Sequence, residues 1–396
     1  MYAFQSLVLL ILAFVAIVNA LPTGNHGHVR RGHHVRNSGP PHVRRTCNPP
    51  APSGPATETT ASLNSSLPSI IPSVTPSPTP SSISQSKSTA TSSSSSPNSL
   101  PTGSFAVSPV TSASNIVNAL FPVGQLGGNS GWSTASEAPS PLSLSDSTLQ
   151  PFNILSGLTH NYVNAPDGKL GMQAHYPQGS YTLTREPNGG ISFYAPGPSN
   201  VDLTTAKEAT FGYSVYFDEG FGWQKGGKLP GLYGGDTADG SVGCSGGSRS
   251  TSCFSARLMW RTDGAGEIYA YLPPYTDSQF AANEAVCSVP PYSDCNDVYG
   301  ASIGRGAFYF ESGQWNTVSQ RVRLNDVGQA NGELELYVGG VSVINVGGLI
   351  IRDSDEGRIR GIQMQTFFGG STSDFASPKD QDSYFADFTV AITETL

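Results

Sequence analysis

The stretch FSARLMWRTDGAGEIYAYL, residues 254–272, contains two short segments in which apolar and polar residues alternate. Phe254–Arg261 and Glu267–Leu272 each place apolar side chains at every second position, the pattern of a strand with one face in a core. Asp263-Gly264-Ala265 lies between them and can form a three-residue turn, with the glycine free to adopt a positive φ. The stretch therefore predicts a β-hairpin with one apolar and one polar face.

The polar face of this hairpin carries five chemically useful side chains, which are Ser255, Arg257, Arg261, Tyr269 and Tyr271. A three-residue turn would place Arg257 opposite Tyr271 and Met259 opposite Tyr269. A sheet face that combines a serine, arginines and two tyrosines suggests the floor of a groove.

Strand-like runs also fill the rest of the region 114–396, separated by Gly, Asn, Asp and Pro. They include Leu170–Tyr176, Ser180–Arg185, Ile191–Tyr194, Thr210–Phe217, Thr317–Leu324, Glu333–Val338, Val341–Val346, Gly361–Phe368 and Phe385–Ile392. No window of a dozen residues has a convincing helical period. We predict one all-β domain over residues 114–396, a β-sandwich of the jelly-roll type.

The residues before this domain differ from it in composition. Residues 1–20 contain an apolar stretch and end in Val18-Asn19-Ala20, which predicts a signal peptide. Residues 21–46 are rich in Arg and His and resemble a propeptide. Residues 47–113 are mostly Ser, Thr and Pro, which predicts a disordered linker, with Asn64 in a glycosylation sequon. We expect a secreted protein with no membrane span, whose linker is either kept at a cell wall or removed.

The charge of the domain bears on its partners. Residues 114–396 hold 15 Lys and Arg against 28 Asp and Glu, a net charge near −13. This balance argues against nucleic acid or an anionic membrane as a partner. Four cations, Lys225, Lys228, Arg257 and Arg261, nevertheless cluster in a short part of the sequence, which points to an acidic substrate.

The cysteines of the domain fall into two close pairs. Cys244 and Cys253 are nine residues apart, and Cys287 and Cys295 are eight apart. Two local disulfides are the simplest arrangement in an oxidising compartment, although four cysteines allow three pairings. There is no CxxC spacing and there are few histidines, so we expect no metal site and no cofactor. We also expect a monomer.

Cations and tyrosines together suit elimination on a polymer of uronic acids. That reaction needs a cation on the carboxylate, a base for the C5 proton and an acid for the leaving O4. Arg257 suits the first role, because its guanidinium is planar and always charged. Tyr269 or Tyr271 could be the base or the acid. Lys228 could stabilise the enolate-like charge or transfer a proton, and Ser255 could donate a hydrogen bond.

Further residues are candidates for substrate binding. Lys225 lies on the same glycine-rich loop as Lys228, and Arg261 ends the first strand of the hairpin. Gln363 and Gln365 alternate with apolar residues and could line the groove. Each also has a plainer interpretation as an exposed polar side chain.

Several motifs resemble polysaccharide lyase family 14. They are Gly226-Gly227-Lys228-Leu229-Pro230-Gly231, Ser255-x-Arg257 and Tyr269-x-Tyr271, with His175-Tyr176-Pro177-x-Gly179-Ser180-Tyr181, Phe367-Phe368-Gly369-Gly370 and Phe385-Ala386-Asp387-Phe388 further along. The resemblance extends over most of 115–396 and implies a β-jelly-roll alginate or glucuronate lyase. It also implies catalytic positions at Lys228, Ser255, Arg257, Tyr269 and Tyr271. The loop between Lys228 and Ser255 is longer than in some relatives, which leaves the shape of the cleft open.

Two other functions fit parts of the sequence. A glycoside hydrolase usually needs two carboxylates spaced about the scissile bond, but Asp218 and Glu219 are adjacent, and Glu333 and Glu335 belong to an ordinary alternating strand. A non-catalytic carbohydrate-binding module on a stalk would explain the leader, the linker and the fold, but not the Lys, Ser, Arg and Tyr set. We therefore predict a metal-independent lyase that acts on an acidic polysaccharide, glucuronan or alginate.

Overall fold

The computed structural model describes residues 105–106, 113–124, 130–296 and 298–396. The predicted signal peptide 1–20, the segment 21–46, Asn64 and most of the linker 47–113 lie outside these ranges. No helix within them is long and apolar enough to cross a membrane.

Strands dominate the described residues. They are β1 Phe105–Ala106, β2 Gly131–Ser133, β3 Tyr162–Asn164, β4 Leu170–Tyr176, β5 Ile191–Ala195, β6 Ala206–Phe217, β7 Gly227–Gly235, β8 Cys253–Trp260, β9 Gly266–Tyr271, β10 Ala301–Ile303, β11 Phe308–Tyr309, β12 Trp315–Arg323, β13 Gly332–Val338, β14 Val341–Leu349, β15 Arg358–Phe368 and β16 Gln381–Thr395. The short helices are α1 Ala113–Leu120, α2 Asp146–Leu149 and α3 Ala238–Ser241, and the 3-10 segments are Leu203–Thr205, Thr262–Gly264, Ser278–Ser288 and Ser373–Phe375.

Two antiparallel sheets form a sandwich. One has the strand order β10-β9-β8-β7-β15-β5. The other has the order β14-β13-β12-β6-β16-β4-β3, and β2 pairs with β16 at its side. The predicted all-β sandwich of the jelly-roll type is confirmed.

The hydrophobic core lies between the two sheets, where alternate side chains of each strand meet. Trp260 of β8 is fully buried there, and its ring lies 5.7 Å from that of Phe217 and 5.3 Å from that of Phe368. These edge-on aromatic contacts fix β8 against the facing sheet through Phe217 and against β15 of its own sheet through Phe368. The polar side chains that alternate with the core residues of β8 must therefore face outward.

The hairpin of β8 and β9 forms as predicted, but its register differs by two residues. Arg257 pairs with Tyr269 and Ser255 with Tyr271, so the predicted pairing of Arg257 with Tyr271 is wrong. The predicted pairing of Met259 with Tyr269 is also wrong, because Met259 pairs with Glu267. The cause is the connection, which spans residues 261–265, contains a 3-10 turn and is closed by a hydrogen bond between residues 261 and 265. Because side chains alternate along a strand, a register shift of two residues leaves every side chain on its predicted face of the sheet.

Strand β7 contains a bulge opposite β8. Leu229 pairs with Leu258 and Leu232 with Ala256, so β7 has one residue more than β8 between these pairs. Gly231 lies in the bulge, where a β-carbon would approach the carbonyl oxygen of Ala256 to 2.0 Å. Only glycine can occupy this position without moving the backbone of β8.

Both predicted disulfides are present in the structure. Cys244 is bonded to Cys253, and Cys287 to Cys295. Each closes a short loop, and both loops lie beside the outer face of the six-stranded sheet.

Candidate active site

The outer face of the six-stranded sheet is the floor of a groove of about 710 Å³. Its walls come from residues 182–184, 245–246, 294, 296, 299–300, 369–371 and 375. Lys228, Arg257, Tyr269 and Tyr271, four of the five residues predicted to be catalytic, line this groove together with Gln365 and Arg261.

The bulge in β7 places Lys228 on the groove side of the sheet. In a regular strand Leu229 and Leu232, three residues apart, would point to opposite faces, whereas the bulge lets both enter the core and leaves Lys228, next to Leu229, on the groove side. Lys228 is only 9% exposed, and its Nζ atom lies 2.8 Å from the Sδ atom of Met259. Burial lowers its pKa well below the usual value, and the positive charges of Arg257 and Arg261 lower it further.

Arg257 is a buried guanidinium with an incomplete set of partners. It is 1% exposed, its Nη1 atom donates to the Oε1 atom of Gln365 at 2.7 Å, and its buried Nε atom has no hydrogen-bond partner. No carboxylate of the described residues forms an ion pair with it. Burial lowers its pKa, but an arginine starts so high that it keeps its charge.

The two glutamines have different positions. Gln365 lines the groove, whereas Gln363 is 1% exposed and is not among the lining residues. Gln363 donates from Nε2 to Gln365 Oε1 at 2.9 Å and to the Tyr194 hydroxyl at 3.2 Å. Gln365 in turn donates to the hydroxyl of Ser192 at 3.0 Å. These hydrogen bonds hold the Oε1 atom of Gln365 in position to accept from Arg257.

Tyr269 and Tyr271 lie side by side on β9 with ring centres 5.8 Å apart. Burial raises the pKa of Tyr269, and the neighbouring Tyr271 raises it further. The hydroxyl oxygen of Tyr271 accepts a hydrogen bond from the backbone N–H of Gly247 at 2.9 Å. The two phenols therefore differ in their surroundings although they share one strand face.

Glu267 pairs with the two other arginines of the groove and balances one of their two charges. Its fully buried carboxylate pairs with Arg261 at 2.6 Å and with Arg305 at 2.7 Å, and it accepts a hydrogen bond from Ser302 at 3.0 Å. Arg305 also lines the groove and was not among the predicted residues. No local motif marks it, because it reaches Glu267 from 38 residues further along the chain.

The groove thus joins an unpaired guanidinium, a buried amine and two phenols on one sheet face. A sequence model of polysaccharide lyase 14 matches residues 164–388, more than half of the chain. The chain belongs to polysaccharide lyase family 14. The predicted family and enzyme class are confirmed.

The solved structure of a PL-14 enzyme agrees with this assignment. The marine PL-14 alginate lyase from Aplysia kurodai is 33% identical with a TM-score of 0.53, and the match covers 61% of this chain and 90% of that one. Alginate lyase vAL-1 from Chlorella virus is 25% identical with a TM-score of 0.48, over 62% and 93% of the two chains. No curated protein sequence matches the chain significantly.

Besides Gln363, two predicted residues of the lyase do not line its groove. Ser255 is 1% exposed, and its hydroxyl donates to the carbonyl oxygen of Cys244 at 2.7 Å. Lys225 is half-exposed and pairs with Asp374, which belongs to the segment that forms one wall of the groove. Both side chains therefore hold loops beside the groove.

Carboxylates and histidines contribute little to the groove of this lyase. Among the described lining residues, Asp294 is the one acidic side chain, and neither His160 nor His175 is present. Glu333 and Glu335 lie on β13 in the sheet opposite the groove, and both pair with Arg321 of the adjacent strand β12. Within the described ranges, no group of three or more His, Cys, Asp or Glu is arranged to hold a metal ion.

Proposed function

We propose that this lyase cleaves a polyuronate, glucuronan or alginate, by β-elimination without a metal ion. The observation that carries the proposal is the buried guanidinium of Arg257, which has no carboxylate partner among the described residues. The proposal also covers the roles of the individual groove residues.

A buried charge without a counter-ion is costly, so it usually marks a group that a ligand will pair. Gln365 occupies one edge of the Arg257 guanidinium and leaves the Nε–H free. A carboxylate of the polymer in the groove could accept from guanidinium N–H groups that Gln365 leaves unoccupied, in the two-pronged geometry that arginine favours. Arg261 and Arg305 are less suited to this task, because both already pair with the carboxylate of Glu267.

Pairing with Arg257 would withdraw charge from the uronate and make its C5 proton more acidic. We assign the base to Lys228, because a lowered pKa favours the uncharged amine that can accept a proton. As the C5–H bond breaks, its electron pair forms the C4–C5 double bond, and the C4–O4 bond breaks with its pair on O4. We assign the acid to Tyr269, because a raised pKa keeps its phenol protonated until O4 takes the proton.

Tyr271 completes the arrangement. Its oxygen accepts from Gly247, so its own O–H remains available to donate to a uronate oxygen. With Arg257 and Tyr271 on the carboxylate, the developing enolate is stabilised by groups that are already in place. In this scheme Arg257 carries the positive charge that a metal ion would supply in other enzymes.

Extracellular action is part of the proposal. The two disulfides fit an oxidising compartment, and residues 1–20 have the pattern of a secretory leader. A secreted enzyme of this kind would act on polysaccharide outside the cell.

The test follows formation of the unsaturated uronate by ultraviolet absorbance. The purified full chain is mixed in EDTA with glucuronan, polymannuronate or polyguluronate, and in parallel with each polymer after its carboxylates have been reduced to alcohols. We expect absorbance to rise on at least one native polymer, with no rise on reduced polymers or with Lys228→Ala. New reducing ends without unsaturated product would indicate hydrolysis instead, and activity that EDTA abolishes would overturn metal independence.

A further inference from the structure

The loop closed by Cys244 and Cys253 packs directly on the proposed catalytic groups, and the proposed reaction uses only one contact from it, the N–H of Gly247. Its two half-cystines form one buried cluster with Met259, Tyr269 and Tyr271. The loop also supplies Ser245 and Gly246 to the groove wall. A loop in this position can set the geometry of the tyrosines.

One backbone group of the loop touches a phenol. The N–H of Gly247 donates to the hydroxyl oxygen of Tyr271 at 2.9 Å. Gly247 has a φ of 93°, a conformation that is strained for any residue with a β-carbon. The turn that aims this N–H at Tyr271 therefore depends on glycine at this position.

The loop is anchored at both ends of this turn. On one side, the Ser255 hydroxyl donates to the carbonyl oxygen of Cys244, whose side chain is held by the disulfide. On the other side, the guanidinium of Arg249 donates to the carbonyl oxygens of Asn296 and Tyr299. These anchors leave Gly247 little freedom to move away from Tyr271.

The position of Ser255 excludes it from direct contact with a substrate in this arrangement. It is 1% exposed, it does not line the groove, and it pairs across the sheet with Tyr271. A serine hydroxyl has one hydrogen to donate, and here that hydrogen goes to Cys244. Any effect of Ser255 on the reaction must therefore pass through its neighbours, the loop and Tyr271.

We propose that Ser255 and the Cys244–Cys253 disulfide are positioning residues that act as one unit, holding the Gly247 N–H against the Tyr271 hydroxyl. The effect on catalysis rests on the proposed uronate elimination; the contact itself does not. Tyr271 is then kept in place by the loop, and its O–H is directed to the groove.

A kinetic cycle tests whether the two elements act as one unit. The variants are Ser255→Ala, the double variant Cys244→Ser/Cys253→Ser, and their combination, each measured for kcat and KM on the polymer that the wild type cleaves. We expect each to lower kcat by roughly 10- to 100-fold, since small displacements of a catalytic group have this effect, with KM within about threefold. The combined variant should lose no more kcat than the more impaired of its two component variants, because both components disrupt the same contact.

Matched controls separate this effect from a general loss of packing. Ser250→Ala removes a hydroxyl of the same loop that bonds only within it, to Ser252. Ser250→Ala should keep most of the wild-type kcat, and Ser255→Thr, which retains the hydroxyl, should keep more activity than Ser255→Ala. Losses that multiply in the combination, or a rise in KM at constant kcat, would overturn the proposal.

Hydrogen exchange provides a readout that needs no substrate. In the full wild-type chain the Gly247 amide should exchange slowly, and Tyr271→Phe and Ser255→Ala should each speed its exchange while the core strands stay protected. Unchanged exchange in both variants would overturn the positioning role, even if the disulfide variant failed to fold. If no polymer gave unsaturated product but exchange changed as expected, the proposed reaction would fail and the loop contact would stand.

Discussion

The Nζ atom of Lys228 lies 3.7 Å from the centre of the Tyr269 ring. Both side chains are buried, and burial favours the neutral form of each: it lowers the pKa of the amine and raises that of the phenol. An amine that can accept a proton therefore lies against a phenol that can donate one. Opposite shifts in adjacent groups are a common way to divide the roles of base and acid.

Lys228→Arg should abolish elimination as completely as Lys228→Ala. Arginine keeps the positive charge but holds its proton too tightly to act as a base, so the rate of unsaturated product should fall by about 10²- to 10⁴-fold. Lys225→Ala is the matched control, because Lys225 is half-exposed and pairs with Asp374 outside the groove. A Lys228→Arg enzyme with near wild-type activity would show that Lys228 supplies only charge.

Activity should rise with pH through the lowered pKa of Lys228, since only the uncharged amine accepts the C5 proton. The positive charge of Arg261 contributes to that lowering. Arg261→Gln should therefore raise the pKa of Lys228 and move the acidic limb of the kcat profile to higher pH. A limb that moved to lower pH, or stayed in place, would contradict the assignment of Lys228 as base.

Stability should depend on the same amine. Its pKa in the folded state lies below the unfolded value of about 10.4, so between these two values the unfolded chain binds more protons. Stability should thus increase with pH across this window and be lowest below the folded-state pKa, where a charged amine is buried. Urea unfolding of Lys228→Met across this range should show higher stability at low pH and a weaker rise with pH than the wild type.

Removal of two groove arginines should change stability in opposite directions. Arg257→Met eliminates a buried charge without a carboxylate partner, so we expect a Tm a few degrees higher together with a collapse of kcat/KM. Arg261→Met leaves the buried Glu267 with one arginine fewer, which should cost about 1–3 kcal/mol of unfolding free energy. Thermal denaturation of both variants measures the contrast, and a lower Tm for Arg257→Met would contradict it.

Gln365→Glu should block the groove electrostatically with almost no change in shape. The new carboxylate would pair with Arg257, which now bonds to the Gln365 oxygen at 2.7 Å. We expect a more stable protein and a KM for the polymer at least about tenfold higher, because the guanidinium would no longer be free to pair with a uronate. Calorimetric binding of unsaturated oligouronates checks this, and unchanged affinity would show that Arg257 does not bind the carboxylate.

Local patterns in the sequence predicted the strands and the side-chain faces of the hairpin, because alternation depends only on neighbours along one strand. They did not predict its register, which depends on the 3-10 turn at residues 262–264. Local patterns also did not predict which residues pair with the charged side chains of the groove. Gln365 is 108 residues from Arg257 and Arg305 is 38 residues from Glu267, and no local spacing links such pairs.

The side chains predicted to bind substrate illustrate the same limit. Arg261 and Gln365 line the groove. Arg261 forms an ion pair with Glu267, and Gln365 accepts a hydrogen bond from Arg257. Lys225 pairs with a residue 149 positions away, which alternation cannot reveal. Residue type and face could be predicted, whereas the state of charge required the tertiary structure.

The bulge in β7 changes what the Gly-Gly-Lys-Leu-Pro-Gly run signifies when other genomes are searched. Gly231 is needed for the close approach of β7 to Ala256. Pro230, which has no N–H to donate, fits at the bulge because this position has no pairing partner on β8. Most of the residues in the motif are thus required by the backbone geometry of the bulge. A descendant that had lost Arg257 or Tyr269 would still need the run to fold, so the motif alone would group degenerate, inactive homologues with working lyases. Only joint inspection of positions 228, 257, 269 and 365 would separate them.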